Sequence, residues 1–542
     1  MILRFKFIYK SSDKTLSKFL DFACKKFDCS YKIFQRQEEV FLYVESSEEQ
    51  INLFLESISS LIPMSIYYYN VEVELVEKIP ENSSISLNEE KIISFCPSCL
   101  KEVEDEENKN YYNAFKSCEL CHSWENPSFI FENKSLESSK RLFEDIAKLI
   151  NENKKIKIRT LSGTFIFSKL ENLENSTNLL VTNLHNISSV VVEDKTQIVS
   201  LVSIEKPSID FKINEIYKIK NNIKKKYINI RYANDLTLHL LSKELLKYQI
   251  DFLNIEEENC SFDYFLDVKS DNNPHLDIPK IKCFEDRKLI LKSNSYPKKL
   301  DEIYEKFQEK NKSQFMTVLA ENGLFDKSIV NFYMSTKDDD GISYYSFKID
   351  GLVDSVKTFT NPSSVEEFFE AVFKDEKGQK LLENYKNRFE EDYNKALQTD
   401  ISIYSSKSFY NYWQIAKVIL GFENSILENA KESFLEKGPR IDYKVFENKK
   451  LFNREFDYFS LIRSAMSFKL AGVDEKTISL GFVESLAHFI ASEIDTISGF
   501  YDVDGVSLCG DMFQEDIFYN LVEKSITRNF KRYYNKEFVI QK

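Results

Sequence analysis

Glycine and proline are scarce in this chain, at 12 and 10 of 542 residues. Loops that hold phosphate through backbone N–H groups are usually glycine-rich, so the shortage weighs against several such loops. No run of 18 apolar residues exists, which argues against membrane insertion through a helical span. No apolar stretch with a cleavage site follows the N-terminal MILRFKFIYK, so no secretory signal is read. Positive charge is in deficit. Lys and Arg number 73 against 87 Asp and Glu, a net charge of −14. That excess of carboxylates disfavours nucleic acid as a partner, because phosphate contacts need cations. The basic run Lys218–Lys226 reads as solvated surface, and His185, His275 and His488 are isolated.

Large side chains are plentiful. There are 45 Phe and 29 Tyr, enough for several cores in a chain long enough for three or four domains. Four of the nine cysteines lie in CPSCLKEVEDEENKNYYNAFKSCELCHSW, residues 96–124. Cys96/Cys99 and Cys118/Cys121 form two Cys-x-x-Cys pairs with 18 residues between them. Four thiolates in two such knuckles are the usual ligands of structural zinc, and they leave no open position for catalysis. Few apolar residues lie between the pairs, so the segment is expected to need its metal to fold. His122 reads as a surface residue rather than a replacement ligand. The remaining five cysteines are scattered and the count is odd, which fits a reducing compartment, the cytoplasm.

Periodicity divides the chain. Residues 1–85 alternate at Leu3, Phe5 and Phe7, then show helical spacing from Leu16 to Phe27 and from Ile51 to Ile58, with strands at 39–44 and 67–76. This is a βαββαβ, ferredoxin-like order. Residues 90–132 hold the cysteine cluster. Residues 135–300 read as a larger α/β domain, with a helix around Leu142–Ile150 and another at Leu236–Tyr248. Strand candidates there are Ile156–Arg159, Phe165–Phe167, Leu179–Val181, Ser189–Val192 and Ile198–Val202. Residues 301–542 are mixed and then mostly helical. The Asp338–Gly341 run reads as a solvated hairpin turn, Cys509 as a small buried residue and His239 as a satisfied boundary histidine.

The cysteine stretch resembles the first zinc finger of the HypF-type carbamoyltransferases, which start cyanide-ligand synthesis for nickel–iron hydrogenases. Cys96, Cys99, Leu100, Glu102, Asp105, Tyr111, Phe115, Cys118 and Cys121 fall on that family's pattern. The resemblance continues in order along the chain. Arg159–Gly163, Leu236–Leu240 and Lys292–Pro297 are similar to the strand, helix and exit motifs of a YrdC-like domain. Leu319–Leu324, Trp413–Gly421, Leu427–Asn429 and Cys509–Gln514 are similar to motifs of the actin-like Kae/TsaD group. The resemblance therefore implies an acylphosphatase-type ferredoxin-like domain (1–85), a four-cysteine zinc finger (90–132), a YrdC-like α/β domain (135–300) and a shortened Kae/TsaD-like actin-like ATPase domain (301–542). This is an α+β and α/β multidomain protein without the family's second finger.

The positions that carry the family's chemistry read differently here. The phosphate loop, Ile8–Phe19, has no glycine, and Ser17 stands in place of an arginine. The stretch expected to hold carbamoyl and ATP is Phe252–Glu256, where carboxylates would repel triphosphate. Arg159 and Lys269 are what remains of its basic set. The metal-binding histidines are replaced by Asn311–Gln314, the catalytic aspartate by Ser335, and the phosphate turn by Cys509-Gly510-Asp511. The expectation is a cytoplasmic accessory protein of nickel–iron hydrogenase maturation. It has no catalytic residues and one structural Zn2+ on Cys96, Cys99, Cys118 and Cys121. Its partner is a hydrogenase subunit or another maturation protein. The rival readings are an active carbamoyltransferase with an altered site and a relative of tRNA-modification proteins.

Overall fold

The computed structural model describes all residues except 10, 12, 28, 37–38, 81–91, 122–123, 284–287, 291–297, 350, 359, 447–450 and 536–542. His122 and the Lys292–Pro297 motif thus lie outside the described residues. The chain divides into two units, 1–293 and 294–542.

The first unit begins with β1 (Ile2–Tyr9), α1 (Thr15–Cys24), β2 (Ser30–Arg36), β3 (Glu39–Glu45), α2 (Glu48–Leu61) and β4 (Tyr68–Val76). Their antiparallel sheet has the order β2-β3-β1-β4, the ferredoxin-like arrangement expected. Strict alternation in β1 turns Leu3, Phe5, Phe7 and Tyr9 onto the two helices. The helices answer with Leu16 and Leu20 and with Ile51, Phe54 and Ile58.

The rest of this unit comprises α3 (Pro97–Glu104), β5 (Ser128–Phe131), β6 (Lys134–Leu136), α4 (Lys140–Asn151), β7 (Ile156–Thr160), β8 (Gly163–Lys169), β9 (Asn178–Val181), α5 (Lys195–Leu201), β10 (Ser208–Lys212), α6 (Glu215–Asn221), β11 (Tyr227–Arg231), α7 (Leu236–Leu245), β12 (Phe252–Glu256), β13 (Tyr264–Lys269), β14 (Lys280–Cys283) and β15 (Lys288–Ile290). They build one mixed sheet, β15-β14-β10-β11-β9-β12-β8-β7-β13-β5-β6. Two expected strands fail. Ile198–Val202 falls in α5, because Asp194 caps the backbone N–H groups of Thr196 and Gln197 and starts a helix. In Ser189–Val192 only Val191 bridges to another strand, at Ile213; the residues before it form a 3₁₀ turn. Short apolar runs do not separate helix from strand.

The second unit contains α8 (Lys298–Tyr304), α9 (Lys310–Asn322), β16 (Ser328–Tyr333), β17 (Gly341–Ser346), β18 (Gly351–Thr358), α10 (Val365–Val372), α11 (Glu376–Arg388), α12 (Glu390–Gln398), α13 (Phe409–Leu420), α14 (Ile426–Lys431), β19 (Arg454–Glu455), α15 (Tyr458–Leu470), α16 (Glu475–Ser498), β20 (Gly505–Cys509), α17 (Asp516–Ser525) and β21 (Lys531–Tyr533). Its sheet runs β19-β18-β17-β16-β20-β21. The segment before β19 crosses α16 where two glycines meet. A Cβ on Gly438 would come within 2.2 Å of the Gly481 nitrogen, and one on Gly481 within 2.4 Å of the Pro439 oxygen.

The sheet is tied to α16 by a buried ion pair. Arg454 Nη2 meets Glu493 Oε2, and both engage Ser355 Oγ. Removing one member leaves the other charged and unpaired inside the protein. Glu493→Ala should therefore lower unfolding free energy by about 3–5 kcal/mol, measured by denaturant unfolding. Ser355→Ala, which spares both charges, should cost less.

Candidate metal centre

The cysteine cluster is assembled by local chemistry. Cys96 caps α3, its sulfur accepting the Cys99 N–H at 3.4 Å, with Pro97 in the first helical turn. The second pair folds back onto the first. Sγ–Sγ distances are 3.7 Å for Cys96–Cys118, 3.5 Å for Cys118–Cys121 and 3.5 Å for Cys99–Cys121, and all four sulfurs lie within 4.8 Å of one another. A tetrahedral ion with metal–sulfur bonds of about 2.3 Å puts its sulfurs about 3.8 Å apart, so these four residues fit a closed metal site. Hydrogen bonds among the four thiols hold Cys118 well below its usual range and push Cys99 and Cys121 above theirs, so the bare sulfurs share protons that a bound cation would displace.

Around the sulfurs pack Phe19 and Phe22 from α1, Ile93, Leu120 and Ile204. The centre thus sits where the ferredoxin-like sheet domain, the cysteine segment and the large sheet domain meet. Residues 204–206 complete this joint. Ile204 N–H donates to the Met64 carbonyl at 2.8 Å. Glu205 accepts from Ser65 Oγ at 2.5 Å and from Ile66 N–H at 3.0 Å, and burial pushes its carboxyl above the usual range. Lys206, at a left-handed φ of 46°, places its ammonium 5.1 Å from the Phe95 ring centroid and 5.3 Å from that of Tyr232. Burial lowers it to about 8.

The segment between the cysteine pairs is better anchored than its sequence suggests. Phe95, Val103, Tyr112, Ala114 and Trp124 belong to the same core as α4 and β7, and Tyr112 donates its hydroxyl to Glu244 on α7. His239 Nε2 lies 2.9 Å from Glu104 Oε1, the satisfied boundary position expected for it. Metal is therefore not the segment's sole support, a correction that follows from aromatic residues filling a core built by distant strands.

The positions that the family resemblance marked as altered are occupied by the chain's own polar groups. In the Ile8–Phe19 loop, Asp13 accepts from Tyr9 Oη (2.9 Å), Ser11 Oγ (2.8 Å) and the Thr15 N–H (3.0 Å). Buried Ser17 faces Gln35 Oε1 at 3.3 Å. In the large sheet, Lys155, Lys157 and Arg159 alternate along one face. Each meets a carboxylate: Glu256 at 2.8 Å, Glu258 at 3.1 Å and Asp267 at 3.5 Å. Arg159 also donates to Asn273 Oδ1 at 2.5 Å, whereas Lys269 is exposed at the end of β13.

In the second unit the scattered motifs do converge. The Asp340 carboxylate takes the N–H of Ser335 (2.8 Å) and of Phe409 at the start of α13 (2.7 Å). Asp511 takes the N–H of Thr336 at 2.7 Å and its hydroxyl. Asn311 Nδ2 reaches the Asp340 carbonyl at 3.5 Å, and buried Gln314 turns instead to Asn535 at 3.3 Å. Gly510, at φ 100°, is indispensable to this turn, since a Cβ would approach the Met334 oxygen to 2.1 Å. The Asp338–Gly341 run does turn the hairpin between β16 and β17, with Asp339 exposed, but it is not solvated throughout. Asp340 is only 5% exposed, and burial drives its carboxyl well up. Asp338 meets Lys310 at 3.1 Å. Cys509 is buried as expected, its thiol 3.3 Å from Asn331 Oδ1 and pushed up by burial. Glu428 forms a capping box with Ser425, a role its Ser-x-x-Glu spacing could have shown.

No protein-family model matches the chain. Two solved structures align with it almost end to end. Full-length HypF in the phosphate- and nucleotide-bound form superposes with a TM-score of 0.64, covering 99% of this chain and 96% of that one at 11% identity. HypF of T. kodakarensis gives 0.63 with the same coverage and identity. The chain is HypF-like in fold. Protein HydE of Wolinella succinogenes is 22% identical over 501 residues, 88% of each chain. The multidomain α+β and α/β architecture expected from the resemblance is therefore borne out for this HypF-like chain. No helix among its described residues is long and apolar enough to cross a membrane.

Cys118→Ser should abolish stoichiometric metal, read by elemental analysis of the purified protein. Hydrogen exchange should then rise in α1 and around residues 64–66, while residues 103–112 stay protected by their apolar anchors.

Proposed function

We propose that this protein is an accessory factor of nickel–iron hydrogenase maturation that keeps a HypF-like scaffold and works through protein contacts rather than carbamoyl transfer. The observation that carries this reading is that the polar groups at the three positions where the family's chemistry is expected bind one another. Asp13 takes the donors of its own loop, the Lys155–Lys157–Arg159 row is matched by Glu256, Glu258 and Asp267, and Asp340 and Asp511 hold backbone N–H groups. Incoming phosphate or nucleotide would have to displace these partners and face carboxylates. Zn2+ on Cys96, Cys99, Cys118 and Cys121 is structural in this reading. The protein acts in the cytoplasm, with a hydrogenase subunit or a maturation protein as partner.

A second reading is a carbamoyltransferase with an altered site. It is favoured by a polar cavity of about 480 Å³ lined by Lys155, Lys169, Asn254 and Glu256. One assay separates the two. Metal-loaded protein given carbamoyl phosphate and ATP is expected to release no AMP or pyrophosphate above the no-enzyme control; release at enzymatic rates would reject the scaffold reading. Deletion of the gene should lower nickel–iron hydrogenase activity, and a variant that replaces Lys155 and Arg159 by Ala should restore it. Unchanged hydrogenase activity in the deletion strain would remove the maturation role.

A further inference from the structure

Strand β4 ends its sheet, pairing with β1 on one side and, among the described residues, with no strand on the other. Among the described residues the outer backbone donors and acceptors of its Asn70–Val76 part meet no strand, a line that native proteins usually cover or blunt. Charge blunts only one face of it, through Glu72 and Glu74. Val71, Val73 and Leu75 lie opposite Phe7, Phe5 and Leu3, on the face that carries the helices. Yet Val73 is 48% and Leu75 66% exposed, so the apolar layer of the sheet runs out to its rim uncovered.

The opposite face carries charge in columns. Glu39 of β3 meets Lys6 of β1 at 2.9 Å. Lys6 in turn faces Glu72 of β4 at 3.9 Å, and Arg4 meets Glu74 at 2.5 Å. Along the Lys6 row the sign alternates from acid to base to acid, whereas Arg4 faces Tyr43 on β3, and in both rows β4 presents the last charge, an acid. The next strand to extend both the apolar layer and this alternation carries Lys or Arg on one face and Val, Ile or Leu on the other.

We infer that the free edge of β4 is a docking site for an extended segment of a partner protein in which basic and branched apolar residues alternate, bound by strand addition. Main-chain hydrogen bonds hold such a segment, and alternate side chains select it. A second copy of this chain is a poorer occupant. Antiparallel self-pairing that keeps like faces together, centred on Glu72, Val73 or Glu74, sets carboxylate against carboxylate, which is destabilising. The inference is independent of whether the protein transfers carbamoyl groups.

The test uses the full metal-loaded chain and two capped hexapeptides, one alternating Lys and Val and one alternating Glu and Val, at low ionic strength. The Lys–Val peptide should slow hydrogen exchange over residues 68–76, and the Glu–Val peptide should not. Replacing both acids, Glu72→Gln with Glu74→Gln, should weaken Lys–Val binding by roughly 2- to 30-fold, since each cross-strand charge pair contributes about 0.2–1 kcal/mol. Both positions are exposed, so the variant should fold normally, which circular dichroism checks. Val73→Lys should weaken binding as well. Absence of protection over 68–76, equal protection by both peptides, or full affinity in the glutamine variant would overturn the inference. So would protection that grows with protein concentration without peptide, since that would assign the edge to a second copy.

Discussion

Three pieces of the first unit meet at Ile204, Glu205 and Lys206, and their arrangement depends on how those residues satisfy buried polar groups. Ile204 extends the apolar shell of the cysteine cluster. Glu205 supplies acceptors for the half-buried Ser65 hydroxyl and the Ile66 N–H. Lys206 carries a charge into the interior at a backbone angle that a lysine rarely adopts. Its ammonium is met by two aromatic faces and the Val202 carbonyl. Each of these costs energy alone; together they are compensated only when the domains are docked. The four thiols add a fourth constraint at the same place, so a metal ion held by them would be thermodynamically linked to domain docking.

The same logic runs through the positions where the HypF resemblance led one to expect ligands. A site for phosphate or nucleotide needs donors left unsatisfied until the ligand arrives. Here Thr15, Ser335, Thr336 and Phe409 give their N–H groups to aspartates of the chain itself. A carboxylate held in this way does the electrostatic work of a bound anion and makes the turn rigid. These turns are thereby held by the chain's own carboxylates, within a HypF-like architecture that aligns end to end at 11% identity.

Much of this was legible in the residues. The Cys-x-x-Cys pairs are local, so their spacing alone predicted a four-sulfur cluster. Helices such as α1, α2 and α4 announced themselves by period, and β1 by alternation. What stayed hidden depends on distance in sequence. Asp-Asp-Asp-Gly reads as a turn whether its third residue is exposed or buried, and only Phe409, brought in from far along the chain, decides that Asp340 is interior. Glu205 lies in a loop whose partners are 139 and 140 residues away. The cysteine segment looked too polar to fold because its apolar residues, Val103 and Tyr112, are few and their cavity is built by other strands.

The crossing of Gly438 and Gly481 has an evolutionary side. Neither position tolerates a side chain while the other backbone stays put, and no intermediate with one substitution relieves the crowding. The two glycines form one steric unit, since a side chain at either requires both backbones to move apart. In related chains they should be kept together or be lost together, along with a change in how the preceding segment passes over the long helix. In a chain with 12 glycines, two are committed to this one crossing.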